Sequence, residues 1–123
     1  MISSRLSASI LAAACACWSA PAHSQDKVDL SANGFMPGCR YLIERGGTAT
    51  GREIQLVYDG GRCNGFVTAI AFTDLGVCLP PSGTIDQFLR VVVRYIDARP
   101  QRMHESFAVL VQEALKAAWP CKR

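Results

Sequence analysis

From Ile85 to Ile96 the apolar side chains recur at helical spacing: Ile85, Phe88, Leu89, Val92, Tyr95 and Ile96. Asp86, Gln87, Arg90, Arg94 and Asp97 fill the opposite face, so the segment predicts an amphipathic helix. Thr84-Ile85-Asp86-Gln87 reads as a capping box. In that arrangement the Thr84 hydroxyl accepts from the Gln87 N–H and the Gln87 side chain reaches back. Val91-Val92-Val93 is β-prone, but the two-turn periodicity outweighs it. A second stripe follows Pro100: Met103, Phe107, Leu110, Val111, Ala114, Leu115 and Ala118. Arg102, Glu105, Gln112, Glu113 and Lys116 face away from it, which predicts a helix over 101–119. Pro100 suits the first turn of that helix, where its missing N–H has no partner to lose. Pro120 stops it, and Cys121 follows at once.

Two further helices are expected upstream. Cys63 to Leu75 carries no charge between Arg62 and Asp74, and Phe66, Val67, Ile70 and Phe72 dominate it. That pattern predicts burial on several sides. Gly76, Pro80 and Pro81 end the segment. Between Ser31 and Arg45, Phe35, Met36, Cys39, Leu42 and Ile43 form an apolar face, with Ser31 or Asn33 as the cap. Pro37-Gly38 either kinks this helix or marks its true start. The glycine-rich 46–62 stretch is less regular, and its Glu53–Tyr58 run reads equally as strand or as helix.

The first residues follow a different grammar. Arg5 is followed by an uncharged apolar run from Leu6 to Trp18, then by small residues through Ala20-Pro21-Ala22 and Ala22-His23-Ser24. This is the pattern of a secretory leader over 1–24, leaving one domain over 25–123 and the periplasm as destination. The run is shorter than the roughly 20 apolar residues of a membrane span, so no span is expected in the mature chain. Lipidation at Cys15 or Cys17 is the minor alternative; both have Ala where a lipobox has a larger aliphatic residue. The chain has 123 residues with a net charge of +3. Removing the leader takes away Arg5 and leaves a weakly basic domain, which gives no case for nucleic acid.

Six cysteines become four on export: Cys39, Cys63, Cys78 and Cys121. An even count in a small exported domain reads as two disulfides. Four helices on short links favour an up-down bundle, hence an all-α fold. In it, Cys78 and Cys121 share one pole, and Cys63 lies near Cys39. The geometry favours Cys39–Cys63 with Cys78–Cys121, because a Cys63–Cys121 bridge spans the bundle and bridged Cα atoms lie within about 7 Å.

Catalytic chemistry finds little footing. His104 is the sole histidine past the leader, and His104-Glu105 has no second histidine to complete a zinc-protease helix. There is no Cys-x-x-Cys pair, and bridged cysteines are not nucleophiles. Gly46 to Gly51 lacks the Lys and Ser/Thr of a phosphate loop. No catalytic residue, metal site or cofactor is expected. One cluster stands out around Pro100: Arg94, Tyr95, Arg99, Gln101, Arg102 and His104, with Arg90 one turn back. It reads either as a solvated face paired with Asp86 and Asp97, or as a protein-recognition edge, since Arg and Tyr are enriched at hot spots. Gly60-Gly61-Arg62 is a second candidate loop, while Trp119 reads as packing.

These residues carry a family resemblance. Gly61-Arg62-Cys63-Asn64-Gly65-Phe66, then Gly76-Val77-Cys78-Leu79-Pro80, then Val92-Val93-Arg94-Tyr95-Ile96 with Pro100 and His104, then Ala114-Leu115 and Trp119-Pro120-Cys121, occur in order. Ser31-Ala32-Asn33 and Cys39 precede them. The order resembles the Rap/Tai family of type VI secretion immunity proteins. The resemblance implies an exported helical homodimer that binds a periplasmic peptidoglycan-amidase effector, with a loop plugging the effector's cleft. The alternative is a small disulfide-bonded periplasmic chaperone of the acid-stress type, against which a single histidine speaks, or another binding module.

Overall fold

The computed structural model describes residues 27–46, 53–74 and 76–122. These residues contain four α-helices: α1 (Ala32–Arg45), α2 (Ile54–Thr73), α3 (Ile85–Asp97) and α4 (Phe107–Ala118). They form an all-α bundle closed by the two expected disulfides, Cys39–Cys63 and Cys78–Cys121. The leader, with Cys15 and Cys17, lies outside the described residues, as does 47–52 of the glycine-rich loop.

α1 and α2 form an antiparallel hairpin. Phe35 meets Phe66 at a ring-centroid distance of 4.7 Å, and Cys39 is bonded to Cys63 one turn further along α1. At Gly38 the two backbones nearly touch: a Cβ added there lies 2.3 Å from the carbonyl carbon of Asp59. Gly60 answers from α2, where an added Cβ stands 3.3 Å from the Gly38 carbonyl oxygen. Glycine weakens a helix by about 1 kcal/mol relative to alanine, and here it gives close approach in return.

This contact also decides the ambiguous run. Residues 54–58 of that run are helical and Glu53 is the N-cap, so α2 begins at Ile54 and not near Cys63. Gly60-Gly61-Arg62 is therefore helix interior and not a loop. Arg62 lies over the Phe35 ring at 4.5 Å and pairs with Asp59 at 3.3 Å. Pro37 neither starts nor ends α1, which runs continuously from Ala32 with the proline on its exposed face. The helix closes on Gly46, whose φ of 61° is left-handed.

α3 starts at the predicted Thr84 cap, whose hydroxyl accepts from the Gln87 N–H at 3.3 Å. α4 starts later than its periodicity predicts. Residues 100–102 form a 3-10 turn, and the α-helix begins only at Phe107. The cause is tertiary: the Met103 and Glu105 carbonyls accept from the N–H groups of Asn33 (2.9 Å) and Ala32 (3.0 Å). These are donors that the first turn of α1 leaves without an intrahelical partner. The Phe107 N–H in turn donates to the Leu30 carbonyl at 2.9 Å. The segment between α3 and α4 thus caps α1, and neither Ser31 nor Asn33 is needed as a side-chain cap.

The core joins all four helices. Phe35, Phe88, Ile96, Phe107, Leu110 and Leu115 are among its fully buried side chains. Phe35 stacks parallel on Phe107 at 4.4 Å. Trp119 packs edge-on against Phe88 at 5.1 Å, a packing role as expected. The outward side of α2 departs from the sequence pattern. Val67 is buried and Phe66 and Ile70 are partly covered, but Phe72 is 69% exposed.

Candidate functional site

The α3–α4 connection is a stiff, charged turn. Arg102 lies at its centre. Its Nε and Nη2 donate to the two Glu105 carboxylate oxygens at 2.8 and 2.7 Å. Its Nη1 and Nη2 donate to Glu113 at 2.6 and 3.0 Å. The Tyr95 hydroxyl adds a third donor to Glu113 at 3.0 Å. The planar guanidinium fork suits two bidentate carboxylates, which a lysine could not match. Its hydrogen bonds to Glu105 and then to Glu113 raise the Arg102 pKa far above its usual value. The same Arg102 bonds hold both carboxyls below the ordinary carboxylate range.

Arg99 closes the turn from the other side. Its guanidinium lies 3.7 Å above the Tyr95 ring, and its Nη1 donates to the Tyr95 carbonyl at 2.8 Å. Backbone bonds from Arg99 to Ile96 and from Arg102 to Arg99 complete the winding. The structure therefore gathers Tyr95, Arg99 and Arg102 into one network. Pro100, Gln101 and His104 are exposed on the outside of the turn. Arg94 is exposed on α3 and forms no ion pair among the described residues.

Of the two expected acidic partners, Asp86 pairs with Arg90 at 2.7 Å, as the solvated-face reading expects. Asp97 pairs with Arg40 of α1 at 2.5 Å, not with an arginine of the turn. The partners that organise the turn, Glu105 and Glu113, escaped the sequence reading. Glu105 was visible in principle as an i+3 acid to Arg102. Glu113 is eleven residues away, and only the antiparallel α3–α4 packing brings it in.

Beside the turn, α3 and α4 leave a shallow groove of about 390 Å³. Val91, Ala98, Ala117 and Ala118 line it, with Arg94 and Arg99 among its other lining residues. Small side chains leave the floor open, and two cations border it. A second groove of about 570 Å³ lies elsewhere, between Phe72, Leu79, Pro80 and Phe88. Among the described residues no cluster of His, Cys, Asp or Glu is arranged to hold a metal ion. The geometry therefore presents a pre-ordered surface: a braced turn, an exposed cationic flank and an apolar cleft.

No curated protein and no solved structure matches the chain. A family model described as Rap1a immunity proteins does match, over residues 7–121, which includes every helix, both disulfides and the braced turn. With nearly its full length matched, the chain belongs to the Rap1a immunity protein family.

Proposed function

We propose that the mature chain is a periplasmic inhibitor of a peptidoglycan-amidase effector delivered by a type VI secretion system, acting as a homodimer after removal of the 1–24 leader. Family membership across residues 7–121 carries this reading. Three features support it. The two disulfides indicate an oxidising compartment. No described helix is long and apolar enough to cross a membrane. The α3–α4 turn is held by ion pairs and by α1, so little ordering entropy is lost when a partner binds it.

In this reading the protein inhibits by occupying a cleft and performs no chemistry of its own. Arg94, Arg99, Pro100, Gln101 and His104 contact the effector, while Tyr95 and Arg102 position the turn. Two variants separate these roles. Arg94→Glu leaves thermal stability unchanged and weakens effector binding, because Arg94 makes no ion pair to lose. Arg102→Glu lowers both, because it breaks the contacts to Glu105 and Glu113 and places a third carboxylate beside them. The decisive experiment is co-expression with an amidase encoded beside this gene and sent to the periplasm. Co-purification and rescue from lysis are expected; an amidase that lyses the cells equally with and without this protein sinks the proposal.

A further inference from the structure

The outward face of α2 is apolar where a surface helix is ordinarily polar. Ile54, Tyr58, Gly61, Gly65, Thr68 and Phe72 follow one another at alternating intervals of four and three residues, the spacing of a helix-pairing seam. At 1.5 Å per residue this seam is about 27 Å long. Ile54, Tyr58 and Phe72 are 74%, 65% and 69% exposed. None of the six positions carries a charge. The Thr68 hydroxyl already has a partner within α2, donating to the Asn64 side chain at 3.2 Å.

The two central glycines sharpen the anomaly. Gly38 and Gly60 are explained by the α1–α2 contact, but a Cβ at Gly61 or at Gly65 meets nothing within 4 Å. Each costs helix stability with no packing gain inside the monomer. Glycine on an apolar helix face is the residue that lets a second helix backbone come close.

The pattern specifies what that second helix is. Around residue 63 the seam is self-complementary when run antiparallel: Ile54 faces Phe72 of a second copy, Tyr58 faces Thr68, and Gly61 faces Gly65. Large side chains meet at the ends and glycines meet at the centre, which is the requirement of an isologous two-fold contact. A charged partner finds nothing to pair with here. The area is also adequate. With about 200 Å² for a large side chain, three such groups at these exposures offer roughly 400 Å² per copy. Two copies bury about 800 Å² from these alone, and exposed Gln55, Ala69 and Thr73 at the margins take the total towards the lower bound of about 1,200 Å² for a specific interface.

We infer that α2 is the self-association surface of this protein, pairing antiparallel with α2 of a second copy across Gly61 and Gly65. The inference gives an interface to the homodimer proposed above and does not depend on which effector is bound. It also assigns the α3–α4 turn and α2 to different tasks, partner capture and assembly.

Sedimentation equilibrium of the mature, oxidised protein tests it. The wild type is expected to be a reversible dimer. Gly61→Glu with Gly65→Glu sets like charges opposite each other across the two-fold axis, while glutamate is a better helix former than glycine. The double variant is expected to raise the dissociation constant at least about a hundredfold, which corresponds to about 2.8 kcal/mol, with its helical circular dichroism retained. Tyr58→Glu, one turn away, is expected to weaken association in the same direction. A wild type that stays monomeric at every concentration overturns the inference. So does a dimer whose dissociation constant is unmoved by the double variant, because its interface then lies elsewhere. Effector binding is measured separately, so failure of the effector proposal leaves this result intact.

Discussion

The two disulfides set chain entropy against burial, and the structure predicts which wins. Cys39–Cys63 closes a loop with a sequence separation of 24, and Cys78–Cys121 one of 43. Loop-closure entropy assigns about 3.4 kcal/mol to the shorter bridge and about 4.0 kcal/mol to the longer. On that ground alone, removing Cys78–Cys121 costs more, by about 0.5 kcal/mol. Burial reverses the order. Cys39 and Cys63 are fully buried, whereas Cys78 is exposed and Cys121 partly so. Truncating two buried sulfurs to alanine forfeits about 1 kcal/mol of transfer and cavity energy each. Cys39→Ala with Cys63→Ala therefore costs about 5 kcal/mol, and Cys78→Ala with Cys121→Ala about 4 kcal/mol. Urea unfolding followed by circular dichroism measures both, compared at equal slope. Under graded reductant the exposed Cys78–Cys121 bridge opens first. If the Cys78/Cys121 variant proves the less stable of the two, loop entropy dominates and the burial argument is wrong.

Three further outcomes are expected. Glu105 and Glu113 have folded pKa values depressed by Arg102 below the ordinary value of 4.5. Their stabilisation is therefore complete above that pH and is lost as pH falls through the depressed folded values. Melting temperature should fall in acid, and Arg102→Met should make that fall shallower; an identical pH profile refutes the assignment. Phe107→Ala removes a fully buried ring stacked on Phe35 and should cost about 3–5 kcal/mol in denaturant unfolding. Gly38→Ala should lower the melting temperature despite alanine's better helix propensity of about 1 kcal/mol. The added methyl group meets the Asp59 backbone, and a stabilised variant would show that α1 and α2 separate freely.

Much of the fold was legible because helical periodicity is a local property. The α3 stripe and its Thr84 cap needed only neighbouring residues, and both occur as read. The bridge partners followed from counting helices and poles. The start of α4 was not legible, because Met103 and Glu105 give their carbonyls to α1, some seventy residues upstream in sequence. Likewise Arg102 looked like a surface cation among others. Its partner Glu113 arrives only through the packing of α4 on α3, which turns a supposed contact residue into a brace.

The sequence by itself determined the number of helices, the disulfide framework, the amphipathic faces of α3 and α4, and the family pattern. Each of these rests on spacing along the chain. The tertiary structure decided which charges pair, where α4 begins, and that α2 extends back through Gly60 and Gly61. It also decided that the uncharged run expected to be buried on several sides keeps one face open. Periodicity records that a residue is apolar, but whether a neighbour covers it depends on how the other helices are placed. α2 shows the difference most clearly: Val67 and Phe72 lie in one apolar run, yet the core takes the first and leaves the second exposed.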